Sequence, residues 1–241
     1  MSFLQAVAQW FLNPAHWQGT GGILNRLQEH VVMSVAATVT ATIIALPLGL
    51  ALGHYGKGGG LAINIANVGR AIPSFAILVI AVQVVGIGAT PAFLALVALA
   101  IPPIVTNSFV GMLDIDRELR DAARGLGMRE KAVLLKVELP NAMPVVMAGI
   151  RTSGVQVVAT ATLAALVGWG GLGRYIVDGL ANRDFVQVFA GAILVAVLSG
   201  LAEIGLAGLQ KVLTPAGLRL RDQPAKSAAI RKGAPQAEPA S

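Results

Sequence analysis

The chain has 241 residues, 55% hydrophobic and 12% charged, with no cysteine and a net charge of +6. Ordinary soluble domains carry about 25% charged residues, so this composition sets aside a water-soluble globular fold. The lack of cysteine excludes a disulfide framework, a cysteine–zinc site and thiol chemistry. The apolar residues come in long runs, the mark of an all-α polytopic membrane protein with one compact domain. The basic balance then belongs to cytoplasmic loops and not to nucleic-acid binding.

Residues 1–30 read as an extracytoplasmic or interfacial segment. Phe3, Leu4, Val7, Trp10 and Phe11 share a helical face, and Asn13-Pro14 stops the pattern. With Trp10 and Trp17 close by, that face fits a helix lying on the membrane; a poorly ordered terminus fits as well. Residues 1–12 have neither the basic start nor the long apolar core of a cleaved signal.

A transmembrane region is expected over residues 31–212. The first span covers about 31–53, with Ser34, Thr38, Thr40 and Thr42 inside it and Pro47 expected to kink it. A Gly-rich loop with Lys57 follows. The second span has its apolar core at 71–88, after Asn64, Asn67 and Arg70 on one face, with Pro73-Ser74 one turn in. The third covers about 92–111. Its central Pro102-Pro103 frees carbonyls that protein or a water-lined path must satisfy, so a packing kink and a gate both remain open.

Residues 113–140 break the apolar pattern. They hold six acidic and six basic side chains, twelve of the chain's thirty charges in 28 positions. Each charge costs about 2.5–3.5 kcal/mol in hydrocarbon even on the lenient insertion scale, so the segment is a water-exposed loop. Ile115, Leu119, Ala122, Ala123 and Leu126 follow helical spacing on one face. Asp116–Arg120 and Arg117–Asp121 stand at i,i+4 on the other. Gly125 and Gly127 then interrupt the helix, permitting a sharp reversal or a close backbone approach. A second short helix, about 128–137, is expected to end at Pro140, which opens the fourth span.

The fourth span, about 142–167, is the most polar, with Arg151, Ser153, Gln156, Thr160 and Thr162. Polar residues in a span face protein or water. Ser153, Gln156 and Thr160 are therefore the candidates for a translocation path. A Gly-rich turn, 168–175, leads to a fifth span at about 186–209. Glu203 there can pair with Arg151 or Arg70, as a buried switch or as a structural pair, or these charges can snorkel to the cytoplasmic interface. Residues 213–241 read as a disordered tail. His16, His30 and His54 are scattered and suggest no metal site.

Five spans put the termini on opposite sides. The side with the 54–60 loop, the charged loop and the tail carries thirteen Lys and Arg, and the other carries Arg26, Arg174 and Arg183. The richer side is the cytoplasm, which puts the N-terminus outside and the charged loop and C-terminus inside.

The charged loop resembles a pattern of bacterial ABC importer permeases: Glu-Ala-Ala, three residues, Gly, nine residues, Ile-x-Leu-Pro. Here Asp121, Ala122, Ala123, Gly127, Val137, Leu139 and Pro140 occupy those positions, with Asp for Glu and Val for Ile. The resemblance implies a type I importer permease of about five transmembrane helices in the bacterial inner membrane. It implies that Asp121, Ala122, Ala123, Gly127, Leu139 and Pro140 form a coupling helix against a cytoplasmic ABC ATPase dimer. It also implies a second permease subunit, the same or homologous, and an extracytoplasmic solute-binding protein. ATP and Mg would lie on the partner ATPase, because no Gly-x-x-x-x-Gly-Lys-Ser/Thr pattern occurs here. This chain would hold no cofactor and perform no catalysis.

Three further stretches resemble osmoprotectant permeases for glycine betaine, choline or carnitine. They are Arg26-Leu27-Gln28-Glu29-His30, Gly69-Arg70-Ala71-Ile72-Pro73-Ser74 and Gly170-Gly171-Leu172-Gly173-Arg174-Tyr175-Ile176. Gly-Gly-Leu-Gly also resembles permeases for methionine and related amino acids, and that solute class stays open. An ion-gradient-driven carrier is the rival from another class. It would show paired repeats and intramembrane acids, where this chain shows only Glu203 well inside a span.

Overall fold

Every fourth residue from Ala37 to Gly53 is alanine or glycine, and this stripe organises the centre of the fold. The computed structural model describes residues 2–56, 58–215 and 217. In it the stripe lies on one helix, α2 (Ile23–Tyr55), with Ala37, Ala41 and Ala45 fully buried against α5 (Ala89–Leu113). A Cβ added to Gly49 would stand 2.6 Å from Ser108 Cβ, and one on Gly53 would stand 2.3 Å from Met112 Cβ. Helices among lipid gain little from apolar burial and associate by close packing, which small residues on each turn permit. Helix α2 starts at Ile23, earlier than the span expected from about residue 31, so the Arg26–His30 run forms its first turns. It also continues through Pro47.

The second expected span is broken. Helix α3 (Gly59–Ala71) and helix α4 (Ser74–Val85) are separated by Ile72 and Pro73. Proline cannot donate, and the residue before it is driven to extended backbone; Ile72 sits at φ −73°, ψ 124°. Pro73 therefore precedes the helix and does not lie one turn inside it. The two pieces run along α5 in opposite direction to it. A Cβ on Gly59 would meet Phe109 and one on Gly69 would meet Pro102, while Ser74 and Leu78 line one small cavity with Leu99, Leu96, Ala95 and Ala92. The break thus lies opposite Pro102-Pro103, through which α5 itself continues unbroken.

The charged loop holds α6 (Arg117–Gly125) and α7 (Glu130–Val133). A π-helical turn, Leu134–Glu138, then joins α7 to α8 (Leu139–Thr160) without a stop. Pro140 does not end a helix as expected. It sits in the first turn of α8, and the preceding backbone bonds i→i−5, with Leu139 N donating to Leu134 O. A widened turn leaves room for the proline ring, which would crowd the i−4 carbonyl of a regular helix. The fourth span then tightens into a 3₁₀ segment, Ala161–Val167.

Helix α9 (Gly173–Ala181) and α10 (Phe185–Leu213) complete the bundle. Among the described residues four helices are long and apolar enough to cross a membrane: Ile23–Tyr55, Ala89–Leu113, Glu130–Val167 and Phe185–Leu213. With α3–α4 as a broken fifth crossing, the all-helical architecture agrees with the expectation of about five. The N-terminal segment is ordered. Helix α1 (Phe3–Leu12) starts at a Ser2–Gln5 capping box and packs on α10, with Phe3 and Phe189 ring centroids 5.4 Å apart. Of the expected 213–241 tail, Leu213 still belongs to α10 and Thr214 N donates to Gln210 O, while Lys57, Ala216 and residues 218–241 lie outside the described residues.

Candidate functional site

The motif residues of the charged loop build a short helix with one sharp exit. Asp116 caps α6 by accepting from Glu118 N at 2.9 Å. At its other end Gly127 N donates to Arg124 O at 2.9 Å and Met128 N to Ala123 O at 3.2 Å. These are the paired bonds of a Schellman turn, which needs a left-handed residue. Gly127 supplies it at φ +79°, and a Cβ there would meet nothing within 4 Å. The glycine therefore serves the reversal and not a close approach.

The predicted apolar face of α6 divides. Ile115 and Ala123 are buried, whereas Leu119 and Ala122 are exposed and Leu126 is 84% exposed. Asp121 and Gly127 are exposed beside them. Leu113, at the end of α5, is also exposed. Helix α6 thus buries one of its nine residues, with Leu119 and Leu126 turned outward.

The expected i,i+4 pairs do not form. Asp116 is spent on the cap, and Asp121 instead meets Arg124 at 3.6 Å. Arg120 turns inward to Glu138, with 3.0 Å between Nε and Oε1, and its Nη2 donates to Met112 O. The Arg120–Glu138 contact is an ion pair whose N–H is not aimed along a hydrogen bond. His54, at the end of α2, reaches Glu138 Oε2 at 2.5 Å and Glu130 at 3.4 Å. Arg124 donates to both Glu130 oxygens, at 3.0 and 3.2 Å, and that bond raises its pKa above the ordinary arginine value.

The three candidate path residues are not brought to one surface. Ser153 is fully buried and donates to Ala100 O at 2.9 Å, so its hydroxyl holds α8 to α5. Polar groups in a span satisfy themselves on protein as readily as on water. Gln156 points out of the fold, beside Thr152. Thr160 is half-buried and shares a small cavity with Ser74 next to the α3–α4 break. Arg151 and Glu203 meet at 2.7 Å, but their side chains are 37% and 42% exposed, so the pair is not buried within this chain. Arg151 also donates to Gln210 at 3.1 Å. The side chain of Arg70, the alternative partner, lies outside the described residues. Arg151, Thr152 and Gln156 together give α8 an open polar face.

At the opposite end of the helices, two stretches far apart in sequence form one clamp. Glu29 accepts from Gly171 N at 2.7 Å, and His30 Nδ1 accepts from Leu172 N at 3.2 Å. His30 Nε2 donates to Val158 O at 2.8 Å. A side chain on Gly170 would strike Glu29 and Arg26, its Cβ falling 1.9 Å from Glu29 Oε2. The Arg26–His30 and Gly170–Tyr175 stretches are thus halves of one contact. Tyr175 extends it, donating to Gly21 O at 2.7 Å and packing edge-on to Trp10.

Comparison with known proteins places this geometry. The family model described as "Binding-protein-dependent transport system inner membrane component" matches residues 33–216. The choline transport system permease protein OpuBB of Bacillus subtilis is 37% identical over 199 residues, 83% of this chain and 92% of that protein. The carnitine transport permease protein OpuCB of Listeria monocytogenes is 35% identical over 216 residues, 90% of this chain and 97% of that protein. Among solved structures, an inward-facing MetNI methionine ABC transporter matches with TM-score 0.69 at 24% identity, over 80% of this chain and 96% of that one, a likeness of fold.

Proposed function

Because the chain belongs to the family of binding-protein-dependent transport system inner membrane components, we propose that it is the permease subunit of an ATP-driven importer of quaternary ammonium osmoprotectants. Glycine betaine, choline and carnitine are the solute class. The observation that carries the solute is the 35–37% identity to choline and carnitine permeases over most of the chain. The Glu29–Gly171 and His30–Leu172 bonds add that two of the three stretches suggesting this group are one physical unit.

The charged loop lies at the cytoplasmic end and the Glu29–Gly171 clamp at the outer end, with the N-terminus outside. The distribution of Lys and Arg supports this orientation. A solute-loaded binding protein docks on the outer end. A second permease subunit covers the open polar face of α8, because a half-exposed Arg151–Glu203 pair deep in a span is costly against lipid. Gln156 and Thr160 border the path. An ABC ATPase dimer takes Leu119, Asp121, Ala122 and Leu126, and ATP with Mg is bound and hydrolysed on that partner. Its closure moves the 121–140 loop, and the spans exchange outward and inward access. The permease makes and breaks no bonds in the solute.

The test is competition. Vesicles containing this chain with its ATPase and binding protein are expected to accumulate radiolabelled glycine betaine or choline. Unlabelled members of the class should compete and methionine should not. Competition by methionine alone would replace the solute assignment.

A further inference from the structure

Glu138 is fully buried, although it lies in the most charged stretch of the chain. A carboxylate removed from water needs charged or donating partners, and its two partners come from two separate helices. Arg120 of α6 approaches one oxygen at 3.0 Å and His54 of α2 the other at 2.5 Å. Arg120 also donates to the carbonyl of Met112 at the end of α5. Glu138 itself closes the π-helical turn that runs into α8. Around it, Glu130 faces His54 at 3.4 Å and Arg124 at 3.0 Å, so α7 is tied into the same cluster. The apolar anchorage of α6 is slight by comparison, since Ala123 is its single buried residue.

We propose that Glu138 is the joint between the coupling helix and the spans, a positioning carboxylate that carries displacement of α6 to α2, α5 and α8 together. The proposal rests on the importer reading and extends it to a position the Ile-x-Leu-Pro pattern leaves unspecified. With the joint intact, α6 cannot shift without pulling Arg120, and through Glu138 the start of α8 and the end of α2. With the charge removed, the ATPase still grips the exposed face of α6, but the grip is no longer transmitted.

The experiment uses the complete complex with ATPase and binding protein in proteoliposomes, and reads solute taken up per ATP hydrolysed. Two glutamine variants and Glu138→Asp are compared with the wild type. Glu138→Gln keeps the shape, and Arg120→Gln with Glu138→Gln leaves no unpaired charge should the single variant fail to fold. Both are expected to keep the ATPase bound and hydrolysing while the transport ratio falls at least tenfold, and Glu138→Asp should recover part of it. An unchanged ratio in the double variant would overturn the proposal. So would parallel loss of uptake and hydrolysis, or failure of both variants to insert, because each makes Glu138 a structural buttress only. A wild-type chain that never binds the ATPase would overturn the importer reading itself, a result separate from either variant's behaviour.

Discussion

Gly127→Val is expected to lose coupled uptake by about tenfold or more, whereas Gly127→Asn keeps most of it. The space around Gly127 is empty, so the two substitutions differ in backbone cost and not in clash. At φ +79° a side chain with a Cβ pays roughly 1–2 kcal/mol, a β-branched one more, and asparagine least among ordinary residues. About 1–2 kcal/mol is a factor of roughly 5–30 in the population of the turn. Opening it frees the Ala123 and Arg124 carbonyls and swings Leu126 away from Leu119 and Ala122. Uptake and ATPase co-purification measured on both variants check this. Equal loss in both would mean that a partner surface, not the turn, fills the space beside Gly127.

The second large effect is expected at the α2–α5 contact. Gly49→Leu should leave little folded permease after detergent extraction, and Gly49→Ala should already lower thermal stability. An added Cβ lies 2.6 Å from Ser108 Cβ and 2.8 Å from the Val105 carbonyl, so backbone has to move. Overpacking a filled interior costs about 1–3 kcal/mol, and backbone contact puts this site at the upper end. Gly200→Ala is the control. Nothing lies within 4 Å of its Cβ, and it should be neutral or slightly stabilising. Melting curves of the three variants decide. Equal stability of Gly49→Ala and Gly200→Ala would remove the small-residue stripe as the organiser of the bundle.

The charged loop was the most legible part of the chain, because its information is local. Asp121, Ala122, Ala123 and Gly127 lie within one helix and its exit, and the φ that Gly127 adopts is what a glycine after a helix announces. The pairing of its charges was not legible. Arg120 has a carboxylate four residues before it, yet bonds to one eighteen positions later that the fold buries. Glu138 looked like one more loop charge. The Ala37–Gly53 stripe was visible as a period of four, but a polar-residue reading of the first span passes over it. Ser153, Gln156 and Thr160 show the limit of polarity as a guide. It marks a helix as non-lipid but does not say which hydroxyl turns to protein, and Ser153 spends its own on Ala100. Pro73 marked the second span, but the place of its break became meaningful only opposite Pro102.

The central claim is that this chain moves its solute with ATP hydrolysed on a partner. The most direct measurement is glycine betaine accumulation in sealed vesicles holding the chain, the ATPase and the binding protein, with ion gradients collapsed by ionophores. Uptake is expected to need ATP and binding protein together and to ignore the ionophores. Uptake that continues without ATP and stops when the gradients collapse would contradict it, and would make the protein a gradient-driven carrier.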